Sequence, residues 1–317
     1  MPAVEEQGLG CFEYAIAAIA KTLHHNHIPL FADTWGFHYI PVSRRTDQRI
    51  GTGIADTFTH LLLSLSQYAG IVLKRIEYAA YEEWFQRIQQ QLFAHLPVFC
   101  IIDLYECHWT PWYRKFHRAH YILIVGLESD GSVLTLDPMY RVTTRQYPRR
   151  LFPFIQETSV ILRVPFEPLV DLVSLAATNI DRLWDLSDGA NSFDHIRRFA
   201  QDIGMMTSIV NEIEPSSINN SPLFFNLHHT AQNREKFAHV LTDPLIHSRI
   251  PKEAAFASEL RQLAKQWRNI EHLLLKTAYQ TGNANKFSAV ANKIAGIADA
   301  EEQLAQSMRD YFNTRGG

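Results

Sequence analysis

The pattern of apolar residues changes at Pro168, and that change limits what the chain can fold into. Upstream, short apolar runs stand between turn residues, at 97–103, 120–126, 132–138 and 158–164. Runs of this length bounded by Gly, Pro or charge predict buried β-strands. Ser129-Asp130-Gly131, between the second and third runs, predicts a hairpin and makes that pair antiparallel. His120 opens one of these strands and Asp137 closes the next, so spacing alone sets the two side by side. Helices are predicted over 11–23, 54–68 and 81–93, the last with Trp84, Ile88 and Leu92 on one face. The stretch 29–53, rich in Gly, Pro and Arg, reads as a long loop.

Downstream of Pro168 the spacing is helical almost throughout. Helices are expected over 168–186, from an Asn191/Ser192 cap to Met205, over a short 233–241, from Pro251 to Tyr279 with Gly282 closing it, and over 285–312. Residues 215–230, rich in Pro, Ser and Asn, read as a loop. The expected fold class is therefore α+β: a domain over residues 1–166 with an antiparallel sheet and a helix opened by Cys11, then an all-α helical domain over 167–317.

Composition narrows the function. A hydrophobic share of 46% with 20% charged residues is globular usage and excludes a disordered chain. A net charge of −3 excludes a strongly basic nucleic-acid binder, and no stacking platform accompanies the local Arg clusters. Three cysteines without a Cys-x-x-Cys pair point to a reducing compartment. The opening MPAVEEQGLG has no basic segment of a secretory signal, and the uncharged stretch 57–73 is too polar to span a bilayer. A cytoplasmic protein with no membrane or nucleic-acid partner is expected.

The segment Gln7-Gly-Leu-Gly-Cys11 carries the most chemistry. A Cys in the first turn of a helix feels the partial positive charge there, which favours thiolate. Gln7 and the Cys11 backbone N–H could donate to a developing oxyanion. His120 is the candidate base, and Asp137, before Pro138, would hold its tautomer. Alone, a Cys on an apolar helix face is ordinarily a small core residue. The conjunction of Gln, helix-opening Cys, strand His and Asp-Pro in that chain order favours catalysis by Cys11, His120 and Asp137, with Gln7 at the oxyanion. Metal is not expected: Cys107, His108, His117 and His120 follow no standard zinc spacing.

On Cys11, the run His120-Tyr-Ile-Leu-Ile-Val-Gly126 and Asp137-Pro138, the N-terminal half resembles papain-like, C39-peptidase-like proteins, and among them the butirosin-biosynthesis H type. Ile196-Arg-Arg-Phe-Ala, the stretch from Asn233 to Leu241, and Leu263-Ala-Lys-Gln-Trp267 resemble the helical domain that follows in such proteins. The resemblance implies a papain-like catalytic domain and an acyltransferase. An acyl group would pass from a phosphopantetheine thioester on an acyl or peptidyl carrier protein to Cys11, and then to the amine of a small-molecule acceptor. No cofactor would be bound by the enzyme itself. A cysteine peptidase or thioesterase on the same machinery, and a catalytically silent binding module, are the competing readings.

The stretch 105–118, YECHWTPWYRKFHR, stands next to the candidate base. Trp109, Trp112 and Tyr113 in it, with Tyr140, are candidate substrate contacts. Arg44, Arg45, Arg114, Lys115 and Arg145 are candidate contacts to an acidic carrier protein, and are equally consistent with solvated surface. The apolar stripes of the last two helices are wide enough to serve a homodimer or to cover the acceptor side of the cleft.

Overall fold

The computed structural model describes residues 9–55, 58–167, 171–214, 218, 221–244, 253–278 and 285–314. It divides into two compact units, one of residues 1–30 with 62–168, the other of Phe31–Leu61 with Leu169–Gly317.

The first unit is built on an antiparallel six-stranded sheet of order β1-β6-β2-β3-β4-β5. The strands are β1 Ile71–Arg75, β2 Val98–Asp103, β3 Ala119–Leu127, β4 Val133–Asp137, β5 Val142–Gln146 and β6 Ile155–Arg163. All four expected strands form, and β1 and β5 add to them. Successive side chains of a strand face opposite sides, and the two sides of β2 are covered differently. Val98, Cys100 and Ile102 pack into one core with Trp84 and Ile88 of helix α3, Tyr81–Phe93. Phe99, of the other parity, meets Phe12 of helix α1, Cys11–Thr22, at 5.9 Å between ring centroids. The Trp84 indole donates to Thr158 Oγ1 of β6 at 3.0 Å, so the aromatic anchor of α3 is also polar-satisfied. The β3–β4 hairpin closes at Gly131, whose φ of +79° a side chain would oppose. A short helix α4, Pro148–Leu151, precedes β6.

The second unit is mainly helical: α5 Leu172–Arg182, α6 Ser192–Gly204, α7 Pro222–Leu241, α8 Glu253–Ala278 and α9 Asn285–Asn313. Helix α2, Phe58–Ala69, runs across the division between the units. Asn191 and Asp194 form a reciprocal capping box at the start of α6. Pro251 and Gly282, the expected ends of the long helix, lie outside the described residues.

Two expectations need correction here. Residues 31–53 do not form a loop of the sheet domain: Phe31–Leu61 packs in the helical unit. Its aromatics are buried there, Phe37 stacking on Trp267 at 5.5 Å and Tyr39 meeting Phe199 at 5.3 Å. The Tyr39 hydroxyl donates to Asp202 at 2.6 Å, and buried Glu212 accepts from the Ile50 and Gly51 N–H groups at 2.5 and 2.9 Å. A Cβ on Gly51 would lie 2.1 Å from the Leu223 backbone nitrogen, so only glycine fits. The second correction is α7, which begins at Pro222 and not at Asn233. Its Asn226, His228 and His229 disguise the helix as a polar loop. The helix is instead buried on nearly every side, and several of its polar groups meet distant partners, Asn226 donating to the Gly51 carbonyl at 3.0 Å.

Candidate active site

Helix α1 starts at Cys11, with Gly10 in extended conformation at the N-cap and no side chain capping it. The first-turn N–H groups are therefore left for another acceptor, and they carry the positive end of the helix. Cys11 is half-buried; the other two cysteines are buried. Burial pushes the Cys100 thiol up to about 12, against the weaker opposing effect of its contact with Thr158. Burial, with the nearby carboxylates of Asp137 and Asp103, pushes the Cys107 thiol up as well. Neither is placed to act as a thiolate.

His120, near the start of β3, and Asp137, at the end of β4, meet as the hairpin requires: Nε2 lies 2.7 Å from Oδ2, with both side chains buried. The Cys11 side chain is among the groups close enough to act on the imidazole. Burial is the largest influence on this imidazole and pulls its pKa down. The hydrogen bond to Asp137, the neighbouring Cys11 side chain and the charges of both outweigh it and push it up to about 9. The backbone N–H of Tyr140 donates to Asp137 Oδ1 at 3.2 Å, and the Trp109 indole N–H donates to Oδ2 at 2.8 Å. The structure thus brings together Cys11, His120 and Asp137, an arrangement able to hold a nucleophile, a proton carrier and its orienting acceptor. Gln7 lies outside the described residues.

The stretch 104–118 is a hydrogen-bonded loop. Asp103 ties its two ends, accepting from the Tyr105 and Arg118 N–H groups at 3.0 and 3.2 Å and facing His117 Nδ1 at 2.6 Å. Trp112 and Tyr113 are exposed on it. The Tyr140 ring stands 5.7 Å from that of His120. Trp109 is half-buried, and the link from its indole to Asp137 is a feature that sequence reading missed; its one signal was a Trp in the loop just before His120.

The candidate basic residues divide between the two units. Arg114 and Lys115 are exposed on the loop, Arg114 donating to the Tyr113 hydroxyl at 3.1 Å and Lys115 lying over the Trp112 ring. Arg145 pairs with Asp130 at 2.6 Å. Arg44 and Arg45 belong to the helical unit. Arg45 is spent internally on the Ile40 carbonyl, Thr52 Oγ1 and the Arg49 carbonyl at 2.8, 2.6 and 2.9 Å, whereas Arg44 is exposed. Among the described residues no cluster of three or more His, Cys, Asp or Glu is placed to hold a metal ion, and no helix is long and apolar enough to cross a membrane.

Residues 15–138 match the family model described as butirosin biosynthesis protein H, N-terminal. The butirosin biosynthesis protein H match takes in the loop at 104–118, His120 and Asp137, and ends at Pro138. Cys11 stands four positions ahead of it, on the same helix as the first matched residues. No curated protein matches the chain.

Proposed function

We propose that the chain is a cysteine-dependent acyltransferase that forms amides in a small-molecule, antibiotic-type biosynthesis, with Cys11 as nucleophile in a papain-like site. The observation that carries this reading is the buried His120–Asp137 pair at 2.7 Å, with the Cys11 side chain close enough to act on the imidazole. The family name of residues 15–138 places related proteins in butirosin biosynthesis, which supports the pathway class.

The Cys11 thiolate attacks the carbonyl carbon of an acyl thioester carried on phosphopantetheine. The tetrahedral oxyanion forms near the start of α1, where the Cys11 backbone N–H can donate to it, joined by Gln7. The carbon–sulfur bond to the pantetheine breaks, and the leaving sulfur takes the proton of the His120 imidazolium. An acceptor amine then attacks acyl-Cys11 and gives a proton to His120. Collapse of the second intermediate releases the amide and restores the thiolate. Asp137 accepts from Nε2 throughout and keeps the tautomer fixed. The enzyme needs no resident cofactor for these steps, because the carrier protein brings the phosphopantetheine. The exposed Arg114 and Lys115, beside Trp112 and Tyr113, offer a cationic and aromatic surface to an acidic carrier.

Turnover with acyl-pantetheine thioesters and a panel of amines tests the reading, with products separated by mass spectrometry. Amide is expected from the wild type and none from Cys11→Ala. Free acid as the sole product would make the protein a hydrolase, and an unconsumed thioester panel would leave a binding module.

A further inference from the structure

Asp137 has three donors around two oxygens. His120 Nε2 and Trp109 Nε1 both meet Oδ2, at 2.7 and 2.8 Å, and the Tyr140 N–H meets Oδ1 at 3.2 Å. Of these, His120 lies on β3 and Tyr140 in the turn that follows β4. The third comes from the loop at 104–118, and among the described residues it is the bond that links that loop to the carboxylate. Trp109 is held firmly enough to act as a support. Its neighbour Thr110 returns two hydrogen bonds to the Cys107 carbonyl, both 3.0 Å, and Cys107 is buried. The loop is closed at its base by Leu104 N–H to the Arg118 carbonyl at 2.7 Å. Trp112 and Tyr113 on the same loop are exposed, whereas Trp109 packs against the core that contains Cys107, Ile102 and Ile122.

We infer that Trp109 is a positioning residue for the Cys11–His120–Asp137 unit: its indole N–H fixes the Asp137 oxygen that orients His120, so that the order of the 104–118 loop sets the alignment of the base. The inference rests on the functional reading above for its consequence in catalysis, but not for its geometry. A carboxylate oxygen with two lone pairs can serve both ring N–H groups at once. Removing the indole donor frees the carboxylate to turn about its side-chain bond, and the bond to His120 loses its geometry. A residue that merely walled the substrate would touch the thioester and leave His120 unchanged.

The experiment is an NMR pH titration of the imidazole nitrogens, with His120 identified as the resonance lost in His120→Gln. The wild-type midpoint is expected near 9. In Trp109→Phe it should fall by about one pH unit, back toward the ordinary histidine range. In an Asp137→Asn background the same substitution should move it no further, because the indole then has no carboxylate to act on. A midpoint that stays or rises in Trp109→Phe overturns the inference. A second reading needs no change at Trp109: of the six tryptophans, one should show its indole N–H resonance shifted upfield by Asp137→Asn. If all stay in place, the inference falls.

Kinetics separates positioning from substrate contact. Trp109→Phe is expected to slow Cys11 acylation about tenfold with little change in thioester half-saturation. The opposite split would make Trp109 a substrate wall and overturn the inference. The NMR measurements use no thioester, so their failure is distinct from a failure of the acyltransferase reading.

Discussion

Replacement of His120 by Gln is expected to slow acylation of Cys11 by about a thousandfold. Gln fills much of the same space and still meets Asp137, but it carries no proton between the sulfur and the leaving group. The loss comes from chemistry more than from folding, since the pair sits at the ends of two strands whose ladder is otherwise unchanged. The pH profile gives the same account a second signature. Folding raises the imidazole above its ordinary 6.5 to about 9, so the imidazolium exists below that value and is lost above it. Proton delivery to the leaving sulfur should therefore decline as pH rises through about 9, and this limb should vanish in His120→Gln. The pairing also stabilises the folded chain fully below 6.5, and that contribution fades as pH climbs toward about 9. Single-turnover acylation followed by intact-mass spectrometry across pH reads the rate and the limb. A variant that acylates within a few-fold of the wild type would remove His120 from the mechanism.

Glu301→Ala is expected to destabilise the helical unit by about 3–5 kcal/mol. Glu301 is 1% exposed and its partner Arg234 is fully buried, so the charges cannot be reached by water. The carboxylate accepts from Arg234 Nε and Nη2 at 2.8 and 2.7 Å, from the Trp267 indole at 2.7 Å and from the Trp35 indole at 3.1 Å. Truncation leaves a buried guanidinium without its counter-charge and two indole N–H groups without an acceptor. The cost is that of stranding groups, which exceeds the net worth of the ion pair itself. Glu301→Gln keeps an acceptor for the indoles and should cost less. Urea unfolding followed by tryptophan fluorescence checks this, since Trp35 and Trp267 report on the site directly. A loss below about 1 kcal/mol from Glu301→Ala would mean that water reaches Arg234.

Much of this molecule can be read from its sequence, for reasons that differ by region. The β3–β4 hairpin is legible because its turn chemistry and period-two runs are local, and its register carries His120 to Asp137 automatically. Helix α3 has the amphipathic spacing that reads cleanly, and its predicted ends are its observed ones. Strand β1 is hidden by the uncharged helix that runs into it, and β5, Val-Thr-Thr-Arg-Gln, shows a single apolar residue. Helix α7 and the segment 31–61 fail for a shared reason: several of their polar groups are satisfied by partners far along the chain. Arg234 bonds to Glu301, Asn226 to Gly51, and Glu212 to Ile50. No local pattern announces an acceptor more than 60 residues away. The same holds in the site, where residue types and chain order point to Cys11, His120 and Asp137, while the indole of Trp109 on Asp137 appears only in three dimensions.

The central claim is that Cys11 alone takes the acyl group, and takes it through His120. Incubation with a carrier-protein or pantetheine thioester, followed by peptide mapping, tests it most directly. The account predicts one acyl group per chain, on the peptide containing Cys11, with buried Cys100 and Cys107 unmodified and the yield sharply reduced in His120→Gln. Acyl groups on Cys100 or Cys107, none at all, or a Cys11 adduct undiminished by loss of His120 would contradict it.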